Sequence, residues 1–173
     1  MILSRPFHEK VESMAADTNI LFPAPHFSPI LTDVGDGVSF TMLGTTIRLM
    51  ATGANSGGRF TVGEQVTPVG WGPPRHIHSR EDEIFYVLEG TYEMHVGDER
   101  RTLSAGACVI LPRNIPHGFR NVASTPSRLL FVITPGGLDE YFLAVAKSSP
   151  PPNPAQLVEL ARPFGLTLLP PGQ

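Results

Sequence analysis

The sequence predicts an all-β fold, an antiparallel sandwich or barrel finished by short C-terminal helices, and three observations carry that prediction. First, 17 glycines and 18 prolines among 173 residues make about a fifth of the chain, and residues that cannot continue a helix, at that density, leave little room for long ones. Second, hydrophobic residues are 41% and charged ones 17% of the chain, too apolar for a disordered segment, and Gly and Pro show no period that suits collagen. Third, from residue 38 onward short runs rich in β-branched and aromatic residues recur, each closed by Gly, Pro, Asp or Asn, with no helical pattern between them.

Residues 1–35 read as an irregular lead-in, because Pro6, Pro23, Pro25 and Pro29 block helices and ladder hydrogen bonds alike. Strands are expected at 38–43 and 45–52, flanking Gly44, and at 59–66 after the loop 53–58. A strand at 83–88 is expected to turn at Glu89-Gly90 into 91–96 as a hairpin. Gly97-Asp98 leads into 99–103, Ala105-Gly106 into 107–111, and strands at 117–121 and 127–134 complete the series. Such short, regular spacing argues for antiparallel pairing rather than βαβ units. After Pro135-Gly136-Gly137, apolar Leu138, Tyr141, Phe142 and Val145 recur at i, i+3, i+4 and i+7, one stripe of a helix ending near Lys147 and covering a face of the barrel. Asn153, Pro154 and Gln156 have the N-cap, N1 proline and reciprocal N3 residue of a second short helix, which Pro163 ends. The chain thus divides into the segment 1–35, a β-barrel over 36–137, and C-terminal helices and tail over 138–173.

Thirteen Lys and Arg against sixteen Asp and Glu give a net charge of −3, with no basic cluster to neutralise phosphates, so nucleic acid is not expected as a partner. Apolar stretches such as 129–133 fall far short of the roughly 18 residues of a membrane span, so no membrane is expected either. Arg5, His8, Glu9 and Lys10 stand where a signal peptide would carry its apolar core, and a cytoplasmic location is the expectation. The lone cysteine, Cys108, lies in the apolar run 107–111 and reads as a buried, inert thiol. Apolar Ile20, Leu21, Phe22, Phe27 and Ile30 of the lead-in exceed what a small barrel covers alone, which predicts a homodimer.

The chemistry concentrates in the segment 70–83. His76 and His78 stand two apart, and on an extended chain that spacing points both imidazoles to the same side. Period two also places Glu83 on the face of Phe85 and Val87, an inward carboxylate whose burial is costly without a partner. A cation that binds all three is the cheapest explanation, since neutral His and ionised Glu are the ligating forms. His117, preceded by Pro112 and Pro116, supplies a fourth ligand. Histidine and carboxylate without thiolate suit Fe, Ni, Mn, Co, Cu or Zn and disfavour Ca and Mg. His8, His26 and His95 are assigned no role, and Glu81 and Asp82 read as solvated turn residues, fallback carboxylates only.

The spacing resembles both consensus motifs of the cupin superfamily. Gly70, His76, His78, Glu83 and Gly90 match the first at every position; Gly106, Pro112, His117 and Asn121 match the second, with Asn114 replacing the family's Gly. That departure is mild, because Asn tolerates a left-handed backbone. The resemblance covers about residues 38 to 135 and implies a double-stranded β-helix, a jelly-roll barrel with one divalent metal inside. The run 81–90 and the run 134–142 further resemble quercetin 2,3-dioxygenase-like monocupins, which implies that the three His and Glu83 hold the metal and that Glu83 also accepts a substrate proton before dioxygen adds. Phe85, Phe119 and Phe131 would then border a pocket for a flavonol-like or other enolisable aromatic compound. Two alternatives stand beside this dioxygenase reading: a redox-neutral metal-assisted cyclase or isomerase, and a small-molecule-binding cupin without catalysis.

Overall fold

The computed structural model describes residues 28–170. Their strands are β1 (Val38–Met42), β2 (Thr45–Ala51), β3 (Thr61–Thr67), β4 (His76–His78), β5 (Asp82–Glu89), β6 (Thr91–Val96), β7 (Glu99–Ser104), β8 (Cys108–Leu111), β9 (His117–Asn121), β10 (Ser127–Thr134) and β11 (Leu166–Leu168). Helices α1 (Asp139–Lys147) and α2 (Pro154–Ala161) and a 3-10 turn, Arg162–Phe164, fall near the end. The strands form two antiparallel sheets, ordered β1-β2-β3-β10-β5-β8 and β11-β4-β9-β6-β7. This is the antiparallel β fold that the residue pattern predicts, in the double-stranded β-helix form that the cupin resemblance implies.

The core lies between the sheets, where alternate residues of each strand point inward. Ile47, Leu49, Phe85, Val87, Leu129, Phe131 and Ile133 come from one sheet and meet Tyr92, Met94 and Phe119 of the other. Each such side chain contributes about 1.5–3 kcal/mol on leaving water. The Tyr92 hydroxyl donates to Thr67 Oγ1 at 3.0 Å. Asn121, fully buried, donates to the Thr67 and Thr125 carbonyls and accepts from Ala123 N and Ser127 Oγ. The motif asparagine is thus a knot that pins the β9 to β10 connection and the register of the strand carrying His117.

The chain departs from the sequence expectations at several places. The turn at Glu89-Gly90 is not a hairpin: β5 pairs with β10 and β8, whereas β6 pairs with β7 and β9 in the other sheet. The chain crosses between sheets there, and glycine is required because a left-handed φ of +79° and the Ser127 side chain leave no space for a Cβ. Cys108 is exposed rather than buried, because β8 is an edge strand and alternation turns Ala107, Val109 and Leu111 inward and Cys108 outward. Residues 76–78 form a strand of their own, and the expected tail contains β11, which pairs with them: Leu166 lies opposite His78 and Leu168 opposite His76.

The helices follow the expected pattern. Leu138, Tyr141 and Val145 are buried against the barrel, and Asn153 caps α2 reciprocally: its side chain accepts from Gln156 N at 3.0 Å, and Gln156 Oε1 accepts from Asn153 N at 2.9 Å. No helix of the described residues is long and apolar enough to cross a membrane. His8, His26, Ile20, Leu21, Phe22 and Phe27 lie outside the described residues; Ile30 is half-buried.

One buried carboxylate ties α1 to the barrel. Asp139 Oδ1 accepts from Gly53 N at 3.0 Å and from Thr61 Oγ1 at 2.6 Å, and the residue is 3% exposed. Asp139→Ala leaves both donors without an acceptor, at about 1–3 kcal/mol each, and is expected to lower the denaturant midpoint accordingly. Asp139→Asn keeps the accepting oxygen and should lose clearly less in the same titration.

Candidate metal centre

Three strands bring the expected residues to one point. Pro73 and Pro74 precede β4 and favour an extended backbone, so His76 and His78 emerge on the same inner face, both buried. His76 lies directly opposite His117 in the β4 to β9 register. Glu83 enters from the opposite sheet, on β5 between Leu111 and Ile133. The ligand atoms of His76, His78, Glu83 and His117 all lie within 4.8 Å of one another, and all four residues are buried.

The hydrogen bonds select which nitrogens face inward. His76 Nδ1 lies 2.8 Å from the Pro74 carbonyl and His117 Nδ1 lies 2.9 Å from the Ile115 carbonyl. A carbonyl only accepts, so each Nδ1 carries the proton and each Nε2 keeps its lone pair for the centre. Glu83 Oε2 lies 3.2 Å from His117 Nε2, and Glu83 Oε1 lies 3.6 Å from His78 Nε2. Neither ring nitrogen of His78 has a hydrogen-bond partner, although the residue is 1% exposed. Buried polar atoms without partners call for an explanation, and a cation between His78, Glu83, His76 and His117 is one that uses every inward atom. The donor set of three imidazoles and one carboxylate fits a divalent transition metal.

The electrostatics point the same way. Burial, with the neighbouring His117 and His78 adding to it, pushes His76 down to about 3. Burial acts to raise Glu83, but the close approach of His117 and the neighbouring His78 and His76 outweigh it and hold the carboxyl below its usual range. Burial likewise acts to lower His78, yet Glu81 and Glu83 leave it above the ordinary imidazole value. An ionised carboxylate enclosed by imidazoles attracts one positive charge.

Two neighbours correct the sequence reading. Glu81 is not a solvated turn residue: it is 6% exposed, with Oε2 at 3.5 Å from His78 Nδ1. Ser79 and Arg80 take the solvent side of the turn, which folds Glu81 back onto the imidazole three residues earlier. Asp82 faces solvent as expected, with its side chain 37% exposed, but it begins β5 rather than lying in a turn. It is clasped by Arg113, whose Nε donates to Oδ1 at 3.0 Å and Nη2 to Oδ2 at 2.7 Å, and this fork holds the Asp82 carboxyl down to about 2. The carboxylate behind a ligating histidine is a recurrent arrangement, and the signal for Glu81 was its i+3 spacing from His78. His95 stands apart, half-buried and 3.1 Å from Glu93. Asn114 holds the left-handed conformation expected of it, φ +64°, and its N–H donates to the His78 carbonyl at 2.7 Å.

Beside the cluster lies a partly open cavity of about 100 Å³ lined mainly by apolar groups, among them Phe85, Phe119, Phe131, Trp71, Leu157 and Leu168. The aromatic residues expected around the site are therefore in its wall. Leu157 of α2, with Leu166 and Leu168 of β11, adds to this wall, which no strand pattern in the barrel foretold.

The family profile described as Cupin domain matches residues 63–133. Uncharacterized protein MJ1618 of Methanocaldococcus jannaschii is 30% identical over 88 residues, 50% of this chain and 70% of its own length. Polyketide synthase CurC of Streptomyces cyaneus is 30% identical over 93 residues, 54% of this chain; the match spans 58% of that relative's length. The solved structure of KdgF from Halomonas sp. has a TM-score of 0.55 at 22% identity, covering 65% of this chain and 97% of that chain. Sequence likeness and barrel agree, and this chain belongs to the cupin superfamily.

Proposed function

We propose that His76, His78, Glu83 and His117 bind one divalent transition metal, and that the barrel is a metal-dependent enzyme acting on an enolisable small molecule. The observation that carries this reading is the convergence of four buried ligand atoms within 4.8 Å of one another, with His76, His78 and Glu83 in the wall of an apolar cavity. A metal bound there supplies Lewis acidity toward a substrate oxygen and, if redox-active, a route for dioxygen. Glu83 also lines the cavity, so one carboxylate is placed both to hold the cation and to take a hydroxyl or α-carbon proton from substrate. Phe85, Phe119 and Phe131 offer a dry wall to a planar body, while Trp71, Pro73 and Pro74 help to exclude water.

Cavity size narrows the substrate class. About 100 Å³ lies below the roughly 300–1,000 Å³ of pockets that enclose drug-sized ligands. A one-ring phenol or small diketone suits a cavity of that size better than a three-ring flavonol. Within this class the dioxygenase reading rests on the likeness to quercetin 2,3-dioxygenase-like monocupins. The redox-neutral cyclase or isomerase reading is supported by the likeness to CurC, named a polyketide synthase, because poly-carbonyl chains are enolisable and need only a Lewis acid and a base.

Elemental analysis of purified protein, followed by oxygen-electrode and mass-spectrometric assays on phenols and 1,3-diketones, tests these readings. Oxygen consumed in proportion to substrate supports the dioxygenase; a product of unchanged mass without oxygen uptake supports the cyclase or isomerase. Binding of a panel member without turnover leaves the non-catalytic cupin. Glu81→Ala checks the support behind His78: metal affinity is expected to fall about 10- to 100-fold in a competitive chelator titration, with the rate per bound metal little changed.

A further inference from the structure

Away from the metal cluster, four polar side chains stand in the wall of the apolar cavity: Thr45, Gln65, Trp71 and Tyr141. Gln65 is engaged within the fold, its Nε2 donating to Thr67 Oγ1 at 3.1 Å. The hydroxyls of Thr45 and Tyr141 are not. Thr45 heads the inward row of β2, followed by Ile47, Leu49 and Ala51, a row in which a valine of the same shape would pack as well. Its Oγ1 is buried without a hydrogen-bond partner, and the residue is 1% exposed. Tyr141 belongs to the buried stripe of α1, with its ring 6.1 Å from that of Phe142 and 5.9 Å from that of Phe164 between centroids. A phenylalanine would serve that packing equally, and among the described residues the Tyr141 hydroxyl has no hydrogen-bond partner. Burial holds this phenol above its ordinary pKa, so it stays a proton donor. Buried hydroxyls normally find partners, and one left without costs the fold stability. Two of them in the wall of one cavity point to a partner that arrives with the ligand.

We propose that the Thr45 and Tyr141 hydroxyls form a second polar subsite, which receives a neutral oxygen at the far end of the small molecule whose other end meets the metal cluster. For that other end the proposal rests on the metal reading above. The two ends lie well apart. Thr45 on β2 and Glu83 on β5 have β3 and β10 between them, three inter-strand spacings and so on the order of 14 Å along the curved sheet. Tyr141 stands on the Thr45 flank: α1 packs on β1, and β1 places Met42, also in the cavity wall, opposite Thr45. A cavity of about 100 Å³ that reaches from one flank to the other is narrow, which suits a slender open chain better than a ring. No Lys or Arg lines it, so an anionic terminus would be buried without a counter-charge, and a carbonyl or hydroxyl is the fitting group. Tyrosine donates to either, and threonine donates or accepts as the terminus requires. Of the enolisable compounds considered above, an open-chain dione with a distal oxygen is thus favoured over a phenol.

Two measurements on the full chain test this. In metal-free protein, Thr45→Val and Tyr141→Phe each remove a hydroxyl without a partner and keep the packing, so each is expected to raise the melting temperature by about 2–4 °C. A fall instead would show the hydroxyls already engaged within the fold and would overturn the proposal. In metal-loaded protein, calorimetry compares alkane-2,4-diones of increasing length, each with and without a terminal hydroxyl. At one chain length the terminal hydroxyl is expected to tighten binding to the parent about tenfold, and each variant should lose that gain while binding the unsubstituted dione as before. No gain at any length, or a gain kept in both variants, overturns the proposal. Metal content separates this failure from that of the metal reading. One ion per chain with no effect of the terminal hydroxyl defeats the second subsite alone; a parent that takes up no metal defeats the metal reading, and the melts then decide the subsite.

Discussion

His78→Ala is expected to strip the barrel of its metal, from about one ion per chain to less than a tenth by elemental analysis after dialysis. Histidine 78 is the member of the cluster with the least alternative employment. It is 1% exposed and neither ring nitrogen has a hydrogen-bond partner. Removing groups that merely orient a metal ligand costs 10- to 100-fold in affinity, and removing the ligand itself costs at least that. The same change takes away the imidazole facing Glu83 Oε1 at 3.6 Å and Glu81 Oε2 at 3.5 Å. Two buried carboxylates are then left with less compensation, so the metal-free variant should also be less stable than the metal-free parent. His95→Ala, which alters a half-buried imidazole bound to Glu93 on the outer face, is the matched control and should keep its metal. Full metal content in both His76→Ala and His78→Ala would show that the cluster is not the site.

That experiment probes residues that were legible from spacing alone, and the reason is geometric. A strand alternates with period two, so His76 and His78 had to share a face, and Glu83 had to share one with Phe85 and Val87. Asn114 was legible too, because few residues tolerate its left-handed backbone. What the sequence did not display depends on contacts between distant segments. The Glu89-Gly90 turn has the chemistry of a hairpin, and only the pairing of β5 with β10 and β8 shows that the chain changes sheets there. Cys108 sits in an apolar run whose outward half is visible only once β8 is known to be an edge and its outer neighbours Tyr86 and Ile84 are seen to be apolar as well. Glu81 looked solvated because charged residues usually are; its burial follows from the turn through Ser79 and Arg80, which returns it to His78. The cavity wall supplied by Leu166 and Leu168 was hidden for the same reason, since β11 finds β4 across 88 residues, from Leu166 to His78.

The role of Glu83 is separable from its presence. Glu83→Gln keeps the side-chain length and one oxygen able to coordinate, but removes the charge and the basicity. If the carboxylate only holds the metal, activity should fall in proportion to the metal lost and no further. The geometry asks more of it: Glu83 spans His117 Nε2 at 3.2 Å and His78 Nε2 at 3.6 Å while lining the cavity where substrate would lie. Its neighbours keep it below the usual carboxyl range, so it stands ionised, the form that both holds a cation and accepts a proton. General-base catalysis contributes about 10² to 10⁴-fold. The rate per bound metal of Glu83→Gln, on whichever phenol or diketone the parent converts, is therefore expected to drop by about that factor, with substrate affinity changed far less. Measuring metal content and turnover on the same sample isolates the chemical contribution. Equal rates per bound metal in parent and variant would move the proton transfer elsewhere and leave Glu83 a ligand only.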